Sequence, residues 1–203
     1  GASDGSDGYS NFLYVSDGTA SGTQKIYGLP LASGFYNSAN LNGKLLFSCI
    51  SADTGGELYV SDGTTVGTSL LKDIFTGTQG SNPFNLTVAG SNAYFQAMDD
   101  SHGTELWKTD GTTNGTVLVK DIYPGSFGSN PYNFTAAAGK LYFNAYDNIN
   151  GNSLYASNGK ASGTRPVTDA GLTGVSINSI KGTSSKLLIN GYNYSTGNEL
   201  YAG

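Results

Sequence analysis

One short phrase recurs along the chain at nearly constant spacing, and that recurrence limits the possible folds more than any other feature. Leu13-Tyr14-Val15-Ser16-Asp17-Gly18-Thr19 returns as Leu58-Tyr59-Val60-Ser61-Asp62-Gly63-Thr64. It returns again as Leu106-Trp107-Lys108-Thr109-Asp110-Gly111-Thr112 and as Leu154-Tyr155-Ala156-Ser157-Asn158-Gly159-Lys160. A shortened copy, Glu199-Leu200-Tyr201-Ala202-Gly203, ends the sequence. From leucine to leucine the steps are 45, 48, 48 and 46 residues. A second marker keeps phase with the first: Phe47, Phe95, Phe143 and Ile189 each precede Gly55, Gly103, Gly151 and Gly197 by eight residues. Self-similarity at this period is the signature of a repeat architecture.

Within a unit the apolar residues alternate with period two, and turn residues separate short runs. In the best-preserved unit Phe84–Ala89 reads as strand a, Ala93–Met98 as strand b, Glu105–Thr109 as strand c and Val117–Ile122 as strand d. Gly90-Ser91-Asn92 and Asp110-Gly111 supply the backbone freedom that tight turns require. Four antiparallel strands in about 40–50 residues predict an all-β fold, a β-propeller of four-stranded antiparallel blades. The chain starts with strands c and d and finishes with a, b and c. The expectation is therefore four blades, the closing one built from both termini, with five blades or completion by a second chain as the alternatives. Both ends supply a strand c, so one strand is surplus. It would add an outer strand, pair between chains, or mark a piece cut from a longer array. Residues 1–8 read as a flexible linker-like or tag-like tail, and 9–203 as a single propeller domain.

Composition narrows the function classes. Ten Lys and Arg stand against fifteen Asp and Glu, a net charge of −5, the wrong sign for neutralising phosphates. Nucleic acid is thereby excluded as an expected partner. No apolar run is long enough for a transmembrane helix. Aromatic residues make up 12% of the chain, which argues against disorder. The single cysteine, Cys49, allows no internal disulfide, and one Cys with one His gives zinc no ligand set.

Comparing copies within the chain separates scaffold from candidate site. Asp17, Asp62, Asp110 and Asn158 lie at the c–d turn, where a side-chain oxygen accepts from backbone N–H two residues on and fixes the turn. Asp73, Asp121 and Asp169 end strand d, and Glu57, Glu105 and Glu199 begin strand c; recurrence marks these too as scaffold. Trp107 is read as packing, since Tyr14, Tyr59, Tyr155 and Tyr201 replace it in other copies. The same reading covers Tyr36, Phe84 and Tyr132, each followed by an asparagine (Asn37, Asn85, Asn133). Nine of the fifteen acids occupy repeated positions, and Asp4 and Asp7 lie in the tail. Asp53, Asp99, Asp100 and Asp147 remain, all in b–c loops, with His102, Tyr146, Asn148, Asn150, Tyr192 and Tyr194 beside them. Phe75, Gln79, Tyr123 and Phe127 sit in the d–a connections. In an antiparallel blade these two sets of loops share one face, and the uniform Asp-Gly turns share the other. The varied rim, rich in aromatic rings, amides and hydroxyls, is the expected ligand-binding site. Its named residues are Phe75, Tyr123, Phe127, Asp99, Asp100, His102, Asp147, Asn148, Tyr192 and Tyr194.

The stretch Glu105–Thr112 with Gly115-Thr116 and Val119-Lys120-Asp121-Ile122 resembles the bacterial ELWxxDGT-repeat proteins. That resemblance spans nearly all of the chain after residue 12. It departs most at Ser153–Thr164, where Ser153 stands for Glu, Asn158 for Asp and Lys160 for Thr. It implies propeller-like blades and an exported or cell-surface location. The Ser/Thr-Asp-Gly turn also looks like the Asp-box of sialidase-type propellers, and the period is similar to that of tachylectin-type lectins. The expectation is a non-catalytic extracellular recognition module, adhesin-like or lectin-like, binding carbohydrate or another cell-envelope ligand, bacterial or host, on the rim. The alternative is a structural or protein-interaction domain of a surface fibre, self-associating through the surplus edge strand. A glycan-cleaving enzyme is the third reading. It lacks an evident carboxylate pair, His102 has no nucleophile elbow near it, and Arg165 is the only arginine. No cofactor is expected, and calcium would find hard oxygen ligands only at Asp99, Asp100 or Asp147 with Asn148 and Asn150.

Overall fold

Alternation of buried and exposed residues with period two sets the secondary structure throughout. A computed structural model describes residues 12–27, 35, 37–168, 172 and 175–202. The tail 1–8 with Asp4 and Asp7, together with Tyr36, Asp169 and Gly203, lies outside the described residues. The chain is all-β, and helical structure among the described residues is limited to 3₁₀ conformation at Ala161–Gly163 and Leu172. Three four-stranded antiparallel sheets follow one another. The first joins β3 (Asn37–Leu41), β4 (Lys44–Ser51), β5 (Gly55–Ser61) and β6 (Ser69–Lys72). The second joins β7 (Phe84–Ala89), β8 (Asn92–Asp99), β9 (Gly103–Thr109) and β10 (Val117–Lys120). The third joins β11 (Tyr132–Ala137), β12 (Lys140–Asp147), β13 (Gly151–Ser157) and β14 (Arg165–Pro166). Before them β1 (Leu13–Val15) and β2 (Gln24–Ile26) pair as a hairpin, and after them β15 (Val175–Gly182), β16 (Leu187–Asn193) and β17 (Gly197–Ala202) form a sheet of three.

Successive sheets stack, with β3 against β7, β7 against β11 and β11 against β15. Each middle sheet is apolar on both faces. Phe95 and Trp107, opposite each other in the ladder, pack on Leu46, Leu58 and Leu71 of the sheet before. Tyr94 and Leu106, on the other face, pack on Leu141, Phe143 and Tyr155 of the sheet after. Phe47 with Tyr59 and Phe143 with Tyr155 make the same cross-strand pair, their ring centroids 5.7 Å apart. Trp107 is 7% exposed in this position, so the indole is a packing element. Burying a ring of this size stabilises by roughly 2–3 kcal/mol, and each sheet repeats the contribution. Lys72 Nζ and Lys120 Nζ add polar ties by donating to the carbonyls of Thr116 and Thr164 in the next sheet.

The asparagines after Phe84 and Tyr132 have a local cause. Asn85 and Asn133 lie at φ +60° and +57°, where the register of β7 on β8 and of β11 on β12 shifts by a bulge. Asparagine tolerates this left-handed region better than other side chains.

The c–d turn is a closed hydrogen-bond network that extends well beyond the aspartate. Asp110 Oδ1 accepts from the N–H and the hydroxyl of Thr112, Thr112 Oγ1 accepts from Gly115 N, and Thr116 Oγ1 donates to Thr112 O. Thr109 Oγ1 accepts from Gly111 N. The network recurs around Asp17 and Asp62. A Cβ on Gly22, Gly67, Gly115 or Gly163 would collide with the side chain of Asp17, Asp62, Asp110 or Asn158, so the second glycine of the phrase is a matter of space. In the fourth copy Lys160 cannot supply the threonine hydroxyl, and the 3₁₀ turn Ala161–Gly163 takes over with Gly163 N donating to Lys160 O.

Two expectations are corrected. Strand d ends at Lys120 instead of Ile122, because Ile122 turns its N–H toward a buried carboxylate. The closing blade built from both termini is not formed among the described residues. β17 already fills the edge of β16 where β1 would pair, and β1 pairs with β2 alone. Leu200 is 69% exposed although its counterparts Leu58, Leu106 and Leu154 are buried, so the outer face of the last sheet is uncovered.

Gly115→Ala tests the turn. The forced collision with Asp110 is expected to cost about 1–3 kcal/mol in denaturant unfolding, and the added change Asp110→Ser should recover part of it. An unchanged midpoint in Gly115→Ala would refute the packing argument.

Candidate functional site

Loops can present a site only if something holds them, and here the holder is a buried glutamate. Glu57 and Glu105 begin the central part of β5 and β9 with no solvent exposure. Glu57 Oε1 accepts from Phe75 N at 3.1 Å and Ser81 N at 2.8 Å, and Oε2 from Ile74 N at 3.2 Å and Ser81 Oγ at 2.6 Å. Glu105 repeats this with Tyr123 N at 2.9 Å, Ser129 N at 2.8 Å and Ser129 Oγ at 2.6 Å. Burial pushes both carboxyls above the usual glutamate range, against the downward pull of these donors. Each carboxylate thus ties the connection that follows its sheet back onto that sheet. The same connection reaches forward: Ser81 O accepts from Met98 N, and Ser129 O from Tyr146 N, in the next sheet. The partners of the latch are carried by Gly80-Ser81-Asn82-Pro83 and Gly128-Ser129-Asn130-Pro131. The 48-residue recurrence of that run was the available sequence signal for them.

The latches bring the b–c turns and the d–a connections onto one edge. Gly103 and the segment Ser126–Gly128 approach so closely that a Cβ on Gly103 would stand 2.6 Å from Ser126 O. Thr76 Oγ1 reaches across to Asp100 Oδ2 at 3.4 Å. The rim residues fall into local groups on this edge. Tyr123 meets Tyr146 with ring centroids 5.5 Å apart, and Tyr192 meets Tyr194 at 5.3 Å. Phe127 is 81% exposed and Tyr194 87%. Phe75 and Tyr123 are half-buried, with their N–H groups in the latches. Gln79, Asn148 and Asn150 are exposed. Ile149, 91% exposed between the two asparagines, is an apolar rim residue that comparison of copies did not single out.

The acids are differently employed. Asp99 and Asp147 end β8 and β12 at the same position of the repeat, 48 residues apart, and each caps its own b–c turn. Asp99 Oδ1 accepts from Ser101 N and His102 N, and its carboxylate meets His102 Nδ1 at 2.8 Å. Asp147 accepts from Ile149 N and Asn150 N through Oδ1, and from Asn150 Nδ2 and the Tyr155 hydroxyl through Oδ2. A calcium ion at either carboxylate would have to displace these donors. Burial pushes both carboxyls up, yet the hydrogen bonds prevail and hold them below the usual aspartate range. The hydrogen bond to Asp99 raises the His102 imidazole.

The third sheet breaks the pattern. Where Glu57 and Glu105 stand, it has Ser153, whose hydroxyl donates to Asn150 O. Twelve residues separate Asp73 from Asn85 and Asp121 from Asn133, but only nine separate Asp169 from Asn178. β15 begins with Val175 paired to Asn193 and Ser176 to Tyr192, and the connection before it, residues 169–171 and 173–174, lies outside the described residues. Among the described residues a Cβ on Gly151 would meet nothing within 4 Å, although one on Gly55 or Gly103 would strike the connection. A cavity of about 410 Å³ lies among the described residues, between the b–c turn, the segment after β14 and β15. No protein-family model matches the sequence, and no curated protein matches it either.

Two outcomes test this geometry. Glu105→Ala strands the donors of Tyr123 and Ser129 and is expected to cost about 3 kcal/mol; amide exchange should quicken first at Tyr123 and Ser129. The raised His102 supports its turn below about pH 6.5, and that support is lost as pH rises through the raised value; lowered Asp99 contributes above about pH 3.9, lost as pH falls through its lowered value. Asp99→Asn should therefore return the His102 titration, followed by proton NMR, toward about 6.5.

Proposed function

We propose that the chain is a non-catalytic recognition module whose stacked sheets are blades of a propeller-type fold. Its ligand is carbohydrate, taken on the edge formed by the b–c turns and the d–a connections. One observation carries this reading: aromatic side chains are left exposed on that edge, while Asp99 and Asp147 are engaged as turn caps. Tyr123 with Tyr146, Tyr192 with Tyr194, and Phe127 offer ring faces to the C–H surfaces of sugars. Asn148, Asn150 and Gln79 offer amides for the hydroxyls. The latches of Glu57 and Glu105 hold the connections without ligand, so little ordering entropy opposes binding. The two best-placed acids, Asp99 and Asp147, hold N–H donors in their own turns, which supports recognition over hydrolysis by a carboxylate pair. An extracellular or bacterial cell-surface setting rests on the ELWxxDGT-repeat resemblance.

A second reading, a protein-interaction or fibre domain, has its own support. Leu188 and Leu200 leave an apolar surface open on the last sheet, and β17 presents an edge that a further strand would extend.

Glycan-array screening followed by titration tests the first reading. Alanine at Tyr123, Phe127, Tyr192 and Tyr194 is expected to weaken binding of the array hit at least tenfold in combination, with little change in unfolding midpoint for the exposed Phe127 and Tyr194. Binding untouched by all four changes, or no hit on a broad array, would sink it. A purely monomeric protein in light scattering at high concentration would count against the second.

A further inference from the structure

We propose that copies of this chain associate head to tail, the open face of the last sheet in one copy covering the outer face of the β1–β2 hairpin in the next. The inference takes up the second reading above, gives it a surface and a partner, and does not depend on the carbohydrate site. The contact is one the molecule already makes within itself. The leucine of each recurring phrase packs on the aromatic residue that follows the leucine of the next phrase. Leu13 shares a cluster with Tyr59, Leu58 with Trp107, Leu106 with Tyr155 and Leu154 with Tyr201. Five leucines and five aromatic residues thus make four pairs and leave one of each over. Those two are Leu200, 69% exposed, and Tyr14, 39% exposed.

Each unmatched residue stands on the face its counterparts use. Leu200 lies opposite Asn190 and Leu188 opposite Ala202, the register that Leu58 with Ser48 and Leu46 with Val60 keep in the first complete sheet. Leu188 and Leu200 therefore share a face, as Leu46 and Leu58 do where Phe95 and Trp107 cover them. Leu46 and Leu58 are fully buried there, whereas Leu188 is 40% exposed. On the hairpin, Leu13 turns inward onto Phe47 and Tyr59, so alternation turns Tyr14 outward. Lys25, opposite Tyr14 in the ladder, holds its ammonium 3.0 Å from the centroid of the Phe12 ring, which adds a second ring to that side. Both unmatched residues stay exposed among the described residues, so the fifth pair is not made within one molecule. A neighbouring copy supplies the missing half at each end. Because the two ends differ, a copy that uses its last sheet keeps its hairpin free, and association continues into a ring or a row. A sheet of three strands on a hairpin of two is a small contact, so the association is reversible and concentration-dependent.

Light scattering and sedimentation velocity over a concentration series test this on the 203-residue chain. The wild type should gain mass above the monomer as concentration rises. Leu200→Glu and Tyr14→Glu, which put a charge into opposite halves of the contact, should each weaken association at least tenfold while the unfolding transition is kept. Should Tyr14→Glu loosen the hairpin, Tyr14→Thr removes the ring, keeps a side chain suited to a strand, and should act in the same direction. Mixing the Leu200→Glu and Tyr14→Glu proteins should restore a pair that stops at two copies, because the first keeps its hairpin intact and the second its last sheet. Failure of the mixture to pair overturns the inference. So does association that Leu200→Glu abolishes and Tyr14→Glu leaves alone, the mark of two last sheets meeting each other. Association that survives both changes overturns this contact but leaves an interaction domain with another surface. A wild type that stays monomeric throughout overturns both, with the carbohydrate reading left as it stands.

Discussion

A carboxylate withdrawn from water and surrounded by backbone N–H groups holds this molecule in working order. Glu57 and Glu105 each collect donors from the connection that follows the sheet, an N–H 18 residues downstream and a serine 24 residues downstream. Taking the charge out of water is unfavourable, and the upward push on both carboxyls records that cost. The offset comes from hydrogen bonds to an ionised acceptor, stronger than those between neutral groups. The consequence reaches beyond the latch itself. A connection tied backward to one sheet through the glutamate, and forward to the next through Ser81 O or Ser129 O, sets the spacing between sheets. It also fixes which side chains face solvent on the edge.

The period, the strands and the position of the turns were legible because they depend on local chemistry that each copy must repeat. Strand a at Phe84–Ala89 and the c–d turn at Asp110 fall where alternation and the Asp-Gly pair put them. How the ends of the chain combine was not legible. Whether β1 completes a sheet with β15 and β16 depends on which edge is already taken, and β17 takes it. Such competition between equivalent strands leaves no mark in the pattern of either one. The turn itself was only half read. Asp110 was visible as the acceptor, but Thr112, Gly115 and Thr116 close the same network, and their recurrence looked like mere repetition of the phrase.

The acids of the edge show a more specific failure. Asp99 and Asp147 looked free because their counterparts in the other units are Ser51 and Asn193. All four accept an N–H within their own b–c turn: Ser51 Oγ from Thr54 N, Asn193 Oδ1 from Ser195 N, and the aspartates as described. Sorting by identity left Asp99 and Asp147 outside the repeated set, although a short oxygen acceptor is all the turn requires. What distinguishes the copies is which spare capacity remains after that task. Asp99 engages His102, and Asp147 engages Tyr155.

Departure from the repeat then acquires a physical meaning. A scaffold of near-identical sheets fills its own crevices, since every copy of the latch occupies the space a ligand would need. The third sheet is the copy that gives up the latching glutamate, with Ser153 in its place, and the strand that follows, β15, pairs with β16 from Val175 onward. Val175–Ile177 pair with Gly191–Asn193. The same unit carries the weakest turn, with Asn158 for Asp and Lys160 for Thr, so its divergence is concentrated at both edges while its buried rings Phe143 and Tyr155 are kept. The low charge of the chain fits this division. Glu57 and Glu105 serve the latches, and Asp17, Asp62, Asp99, Asp110 and Asp147 serve turns.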